Sequence, residues 1–235
     1  MHMRRVRNSQ IINMIDPFAQ AGLSGHPLCR MAAWPLGDPW PDAGFTALEV
    51  ERLGRMKSPQ RQAEMAGSFA LRRYLIAEMA GGAPEQAEMI SAEDGAPLLL
   101  RPAGWAMSLA NKDAYTVVAL AGATAEIGVD IEIVRELDWR PALSMTCSDA
   151  ERAEFEGAPG EAESKLRAFF RMWTLKEAVL KSTGRGFRAG PKAVETPWSL
   201  LQAPGMGTLR AFGGAFDFWT ADVGEAVVSL VQKRV

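Results

Sequence analysis

The sequence predicts an α+β fold built from two pseudo-symmetric halves, each a long helix packed on a small, mostly antiparallel sheet. Three observations carry this. A long helical stretch closed by glycines occurs twice, from about Pro59 to Met79 before Gly81-Gly82 and over 162–182 before Gly184-Arg185-Gly186. Each is followed by strand-forming runs, which end in Thr116-Val117-Val118-Ala119-Leu120 and in Ala226-Val227-Val228-Ser229-Leu230. The chain of 235 residues is long enough to bury the core such a pair needs. The division expected is a loosely ordered segment over 1–30, a first half over 31–122 and a second half over 123–235.

Within the first half, Met31 to Leu36 is short and apolar and reads as a strand. Gly37-Asp38-Pro39-Trp40-Pro41-Asp42 is a turn cluster. A helix follows from Thr46 to Met56. Lys57-Ser58-Pro59 breaks it, with Ser58 as N-cap and Pro59 opening the long helix. Met89-Ile90 begins a short strand, Glu93-Asp94-Gly95 turns, and Leu98-Leu99-Leu100 follows. Ala106 to Leu109 and Tyr115 to Leu120 form a hairpin around Asn111-Lys112-Asp113. In the second half Thr124 to Ile133 is a strand and Ser148 to Phe155 a helix. The loop Gly157-Ala158-Pro159-Gly160 precedes the second long helix. Asp217 to Ala221 and Ala226 to Val231 close the chain as strands.

Composition excludes several classes. The chain is 48% hydrophobic and 23% charged with a formal net charge of -2, so a nucleic-acid partner has no global electrostatic support. Arg4, Arg5 and Arg7 are too short a cluster to change that. Cys29 and Cys147 are far apart and lack metal-ligand spacing, which fits a reduced, cytoplasmic chain. His2 and His26 are the only histidines, which argues against histidine catalysis or a histidine-bound zinc. No apolar run approaches the ~20 residues of a membrane span. Residues 11–17 are too short and polar for a signal-peptide core.

The chemistry-bearing stretch is Trp173-Thr-Leu-Lys-Glu-Ala-Val-Leu-Lys181, an uninterrupted helical sequence. Glu177 and Lys181 share one helix face a turn apart. Alone, such a pair is an exposed salt bridge worth ~0.3–0.5 kcal/mol. Upstream, however, Gly128-Val129-Asp130-Ile131-Glu132 alternates acidic and apolar residues, so Asp130 and Glu132 share one side of a strand. Three carboxylates and a nearby ammonium suit a hard divalent cation and a phosphate-bearing substrate. A metal-dependent phosphodiesterase is one enzyme class that fits this set.

Gly128-Val129-Asp130, then 42 intervening residues, then Trp173 to Lys181 resembles the signature of the 4'-phosphopantetheinyl transferases. The chain is most similar to the longer, Sfp-type members, single chains of two pseudo-symmetric halves. The resemblance implies coenzyme A as donor, a serine of an apo acyl or peptidyl carrier protein as acceptor, and adenosine 3',5'-bisphosphate as the second product. It implies that Asp130, Glu132 and Glu177 hold Mg²⁺, the middle acid being unused in some members. It further implies that Glu177 takes the serine proton and that Lys181 binds phosphate. A cytoplasmic monomer without nucleic-acid or membrane partners is the corresponding expectation.

Two departures concern the donor's 3'-phosphate. The family has Gly-Lys-Pro or Gly-Arg-Pro where this chain has Gly95-Ala96-Pro97, and Ser-His-Ser where it has Ala110-Asn111-Lys112. Asn111 and Lys112, or Arg61 and Arg72 on the first long helix, are the candidates for that contact. Loss of one charged phosphate contact costs ~1.5–3 kcal/mol. The alternative reading is therefore a non-catalytic or donor-shifted relative that binds a carrier or nucleotide. Lys165, Arg167 and Arg171 are candidates to face an acidic carrier.

Overall fold

The computed structural model describes residues 14–34, 45–92, 96–184 and 190–234. The first half holds α1 (Pro17–Gln20), β1 (Leu28–Ala33), α2 (Ala47–Gly54), α3 (Pro59–Ala80), β2 (Glu88–Ser91), β3 (Pro97–Arg101), β4 (Trp105–Lys112) and β5 (Tyr115–Gly122). The second holds β6 (Ile127–Ile133), α4 (Arg140–Thr146), α5 (Asp149–Gly157), α6 (Ala162–Ser182), β7 (Gly205–Ala211), β8 (Gly214–Val223) and β9 (Ala226–Lys233). All strand pairings are antiparallel, as the α+β reading requires.

Local chemistry explains the long helices. Ser58 Oγ accepts the Arg61 amide and Pro59 fills the first turn of α3. Gly81, at φ 80°, ends that helix. Thr46 with Glu49 and Ser148 with Glu151 form capping boxes that start α2 and α5.

The sequence echo reappears as strand order. Beside a two-stranded β2-β3 sheet, the first half has a sheet of order β1-β5-β4 and the second one of order β6-β9-β8-β7, so the last strand of each half lies between its first and its penultimate. In this order β1, α3, β4 and β5 correspond to β6, α6, β8 and β9. Leu71, Leu75 and Ile76 of α3 pack on Val118 and Leu120 of β5. Leu175, Ala178 and Val179 of α6 pack on Phe216, Phe218 and Val231. A third cluster joins the sheets, with Val117 and Ala119 against Val129, Ile131, Val228 and Leu230. Strands β4 and β6 run side by side there, and the Val129 amide donates to Ser108 Oγ at 3.0 Å.

Several expectations need correction. Residues 14–30 are not loosely ordered. Asp16 caps α1, Phe18 is fully buried, and the Trp219 indole donates to the Ser24 carbonyl at 3.1 Å, tying this segment to β8. Strand β1 starts at Leu28 rather than Met31, and β6 at Ile127 rather than Thr124. Helix α4 and strand β7 were not expected. Strand β7 carries two glycines that weaken its signal, and a Cβ on Gly207 would meet the Phe218 ring at 3.0 Å. His2, Arg4, Arg5, Arg7, the turns at 37–42 and 93–95, and Arg185-Gly186 lie outside the described residues.

Candidate active site

The site forms where β6 passes beneath α6. Gly128 permits the approach: a Cβ there would sit 1.8 Å from the Ala178 carbonyl oxygen and 2.7 Å from the Ser182 amide nitrogen. Only hydrogen fits. Val129 and Ile131 are buried in the inter-sheet core, so the strand's period of two turns Asp130 and Glu132 to the other side. The same crossing presents Glu177 and Lys181 of α6 to that side.

Asp130 is 8% exposed. Lys181 Nζ donates to its Oδ1 at 2.8 Å and to the Val129 carbonyl at 3.1 Å. Burial nevertheless pushes the Asp130 carboxyl above its ordinary range, against the pull of Lys181. Glu177 is raised too, first by burial and then by the negative charge of Asp130; Lys181 pulls it down and Glu132 pushes it up. That mutual influence places Asp130, Glu132, Glu177 and Lys181 in one electrostatic cluster. Among the described residues Glu177 has no ion-pair partner.

Glu132 is held from the other half. Lys112 Nζ, at the end of β4, lies 2.8 Å from its Oε2, and Arg135 Nη1 lies 3.2 Å from the same oxygen. Among the described residues no three carboxylate, thiol or imidazole side chains converge into a metal cage. The ammonium groups of Lys112 and Lys181 sit on the acids instead.

The candidates for the 3'-phosphate are dispersed. The Asn111 carboxamide oxygen accepts from Ser68 Oγ at 2.6 Å. Arg72 pairs with Glu49 and covers the Phe69 ring at 4.4 Å. Arg61 is exposed near the start of α3. Among the described residues no contact ties either arginine to the acidic cluster.

On the expected carrier side, Arg171 is 4% exposed and bound to Asp222 and the Leu201 carbonyl, which removes it from the surface. Lys165 and Arg167 instead line an open groove of about 1170 Å³ with Arg135, Leu137, Trp139 and Leu166. Arg135 belongs to both the groove and the Glu132 ion pair.

Lys176 has a role that the sequence did not reveal. It lies one residue before Glu177, about 100° around the helix, and is 1% exposed. Its ammonium donates to Glu151 Oε1 at 2.8 Å, to the Pro191 carbonyl at 3.2 Å and to the Val194 carbonyl. It thus ties α6 to α5 and to residues 191–196, fixing the rotation that presents Glu177 and Lys181. The helix from Ser148 to Phe155 was expected, but nothing in the spacing announced Glu151 as a buried counter-ion.

Residues 126–230 match the sequence pattern of the 4'-phosphopantetheinyl transferase superfamily. The chain is 36% identical over 98 residues to the 4'-phosphopantetheinyl transferase AcpT of Salmonella typhimurium, covering 41% of this chain and 50% of that protein. It is 30% identical over 155 residues to a putative 4'-phosphopantetheinyl transferase of Synechocystis, covering 63% and 61%. It is 27% identical over 148 residues to the 4'-phosphopantetheinyl transferase HetI of Nostoc, covering 61% of each. The matches thus span between 50% and 61% of these relatives. The matched region contains β6, α6 and all four residues Asp130, Glu132, Glu177 and Lys181, so the likeness to the 4'-phosphopantetheinyl transferase superfamily falls on the candidate site itself.

Proposed function

We propose that this chain transfers the 4'-phosphopantetheine group of coenzyme A to a serine hydroxyl of an apo acyl or peptidyl carrier protein, with Mg²⁺ as cofactor. One observation carries the reading: Lys181 bonds Asp130 at 2.8 Å, and Glu177, 47 residues further along the chain, lies close enough for the Asp130 charge to add to burial in raising its carboxyl. The donor set fits Mg²⁺, because it is all carboxylate oxygen, Asp130 is buried, and Glu177 lacks an ion-pair partner among the described residues. Asp130 and Glu177 would hold the ion, with Glu132 next to them. When bound, it neutralises charge on the donor's diphosphate.

The chain's own residues supply the rest. Lys181 offers an ammonium to the phosphate on which charge develops. Glu177, made more basic by burial and by Asp130, accepts the serine proton, directly or through a water. The serine oxygen bonds to the phosphorus that bears pantetheine, and the bond from that phosphorus to the bridging oxygen breaks. Adenosine 3',5'-bisphosphate leaves with the electron pair. The groove beside Arg135 offers a carrier a place to dock with charges of both signs, Arg135, Arg140, Lys165 and Arg167 against Glu136, Glu156, Glu163 and Glu225. The reading takes the protein as a cytoplasmic monomer.

Incubation with coenzyme A, Mg²⁺ and an apo carrier tests this by mass spectrometry. A carrier heavier by one phosphopantetheine supports transfer. An unchanged carrier with coenzyme A bound favours the non-catalytic relative, and cleaved coenzyme A without carrier favours a phosphodiesterase. A donor-shifted relative has its own support, since Ala96 is uncharged, Asn111 is engaged by Ser68 and Arg72 by Glu49. Dephospho-coenzyme A used as well as coenzyme A would favour it; a strong preference for coenzyme A would remove it.

A further inference from the structure

Resting on the reading above, we infer that Lys112 is a resident counter-ion that a divalent cation must displace from Glu132, and that the freed ammonium then serves the donor's phosphates. The argument begins with charge. Asp130, Glu132 and Glu177 are met by Lys112, Lys181 and Arg135, so three carboxylates face two ammonium groups and one guanidinium. The cluster is formally neutral. A divalent cation entering a neutral cluster gains little unless a resident cation moves away or an anion arrives with it.

Of the residents, Lys112 is the one placed to move. Lys181 is held by both Asp130 and the Val129 carbonyl, and Arg135 by both Glu132 and the Ile133 carbonyl, whereas among the described residues the Lys112 ammonium meets Glu132 alone and comes from the first half while the acids belong to the second. Arg135 already occupies the same Glu132 oxygen at 3.2 Å, so the acid stays paired when Lys112 departs. The ion pair is not needed to hold the halves together. The Ser108–Val129 hydrogen bond and the shared core of Val117, Ala119, Val129 and Val228 already do so. A flexible four-carbon stem lets the ammonium swing without moving β4.

The consequence is coupling. Metal binding releases an ammonium for the diphosphate, and the diphosphate offsets the charge the metal brings, so each tightens the other by the same factor. Lys112 thereby lowers the affinity for metal alone and raises the affinity for donor in the presence of metal.

The test uses the full chain and three titrations: Mn²⁺ alone followed by electron paramagnetic resonance, coenzyme A alone by calorimetry, and coenzyme A at saturating Mn²⁺. Lys112→Met is expected to bind Mn²⁺ alone more tightly by roughly threefold to tenfold, and coenzyme A with Mn²⁺ more weakly by about tenfold, the scale of one charge-assisted contact. Lys112→Arg, which keeps a cation on Glu132, is expected to stay near wild type. A Lys112→Met protein that melts earlier but titrates as wild type would make the pair a strut and overturn the inference. Weaker Mn²⁺ binding in Lys112→Met would overturn it as well. Asp130→Asn separates the two levels. If wild type and Asp130→Asn bind Mn²⁺ identically, the metal-site reading itself falls, and this inference falls with it.

Discussion

Replacing Gly128 with Ala tests whether the approach of β6 to α6 sets the site. The added Cβ would lie 1.8 Å from the Ala178 carbonyl oxygen, 2.8 Å from its carbon and 2.7 Å from the Ser182 nitrogen. All three are backbone atoms, so no rotamer change relieves the clash. Raising 1.8 Å to an ordinary contact of 3.4 Å takes about 1.6 Å of separation between strand and helix. Asp130 sits two residues along the strand from Gly128, and Glu177 is adjacent to Ala178, so the separation falls on the geometry of the candidate site. Overpacking of this kind costs about 1–3 kcal/mol or somewhat more. In a chain of this length that lowers the melting temperature by roughly 2–12 °C. A misplacement of about 1 Å at reacting groups costs on the order of 100-fold in rate. Thermal denaturation and the carrier mass-shift assay, run below the variant's own melting temperature, read the two effects separately. A Gly128→Ala protein with wild-type melting and wild-type transfer rate would refute the claim that this crossing positions the acids.

The other predictions address the charged residues. Lys176→Met leaves Glu151 buried without its ammonium, and is expected to cost about 3–5 kcal/mol in chemical denaturation; a Lys176→Met, Glu151→Leu double variant should recover part of this. Burial raises the Glu151 carboxyl, but the Lys176 bond and charge with the Ser148 and Thr196 amides outweigh it and hold it below the ordinary value. Its stability contribution is therefore present above the unfolded value of about 4.3 and lost as pH falls through the lower folded value. Acid unfolding curves of Glu151→Gln should be flatter than wild type there. Glu177 behaves oppositely: its carboxyl is raised in the fold, so its ionisation costs stability as pH rises through the folded value. Metal-free Glu177→Gln should accordingly melt higher than wild type at neutral pH and lose that advantage in acid, and with Mg²⁺ supplied the variant should transfer at least ~100-fold more slowly than wild type.

How much of this was legible depends on which physical rule a residue obeys. Asp130 and Glu132 could be read because a strand's period of two is visible in five residues. Glu177 and Lys181 could be read because four-residue spacing puts them on one helix face. Ser58 announced its helix through a local capping bond, which depends on neighbours only. The Lys112–Glu132 pair was invisible because it joins strand ends from different halves, and no local period encodes that contact. Arg72 looked like a free cation on α3, yet its partner Glu49 comes from α2. Residues 14–30 looked irregular because α1 is one turn long and its anchor, Trp219, lies in β8.

The same logic explains why Lys176 and Glu177, adjacent in sequence, divide their labour. A rotation of about 100° sends one ammonium inward and the next carboxylate toward β6. Inside, Lys176 finds Glu151 and two carbonyls, which together satisfy its three donors. A satisfied buried cation fixes the helix against rotation, because any turn would strand a charge in a dry interior. Toward β6, burial and then the charges of Asp130 and Glu132 raise the half-buried Glu177 carboxyl against the pull of Lys181, a position that a freely rotating helix would relax. The unfavourable arrangement persists because the favourable one, a residue earlier, enforces it. Loss of Lys176 should therefore bring the Glu177 carboxyl back toward its ordinary range even in molecules that remain folded. Carbon-13 NMR titration of the Glu177 carboxyl in folded Lys176→Met would decide this, and an unchanged titration would break the link between the two residues.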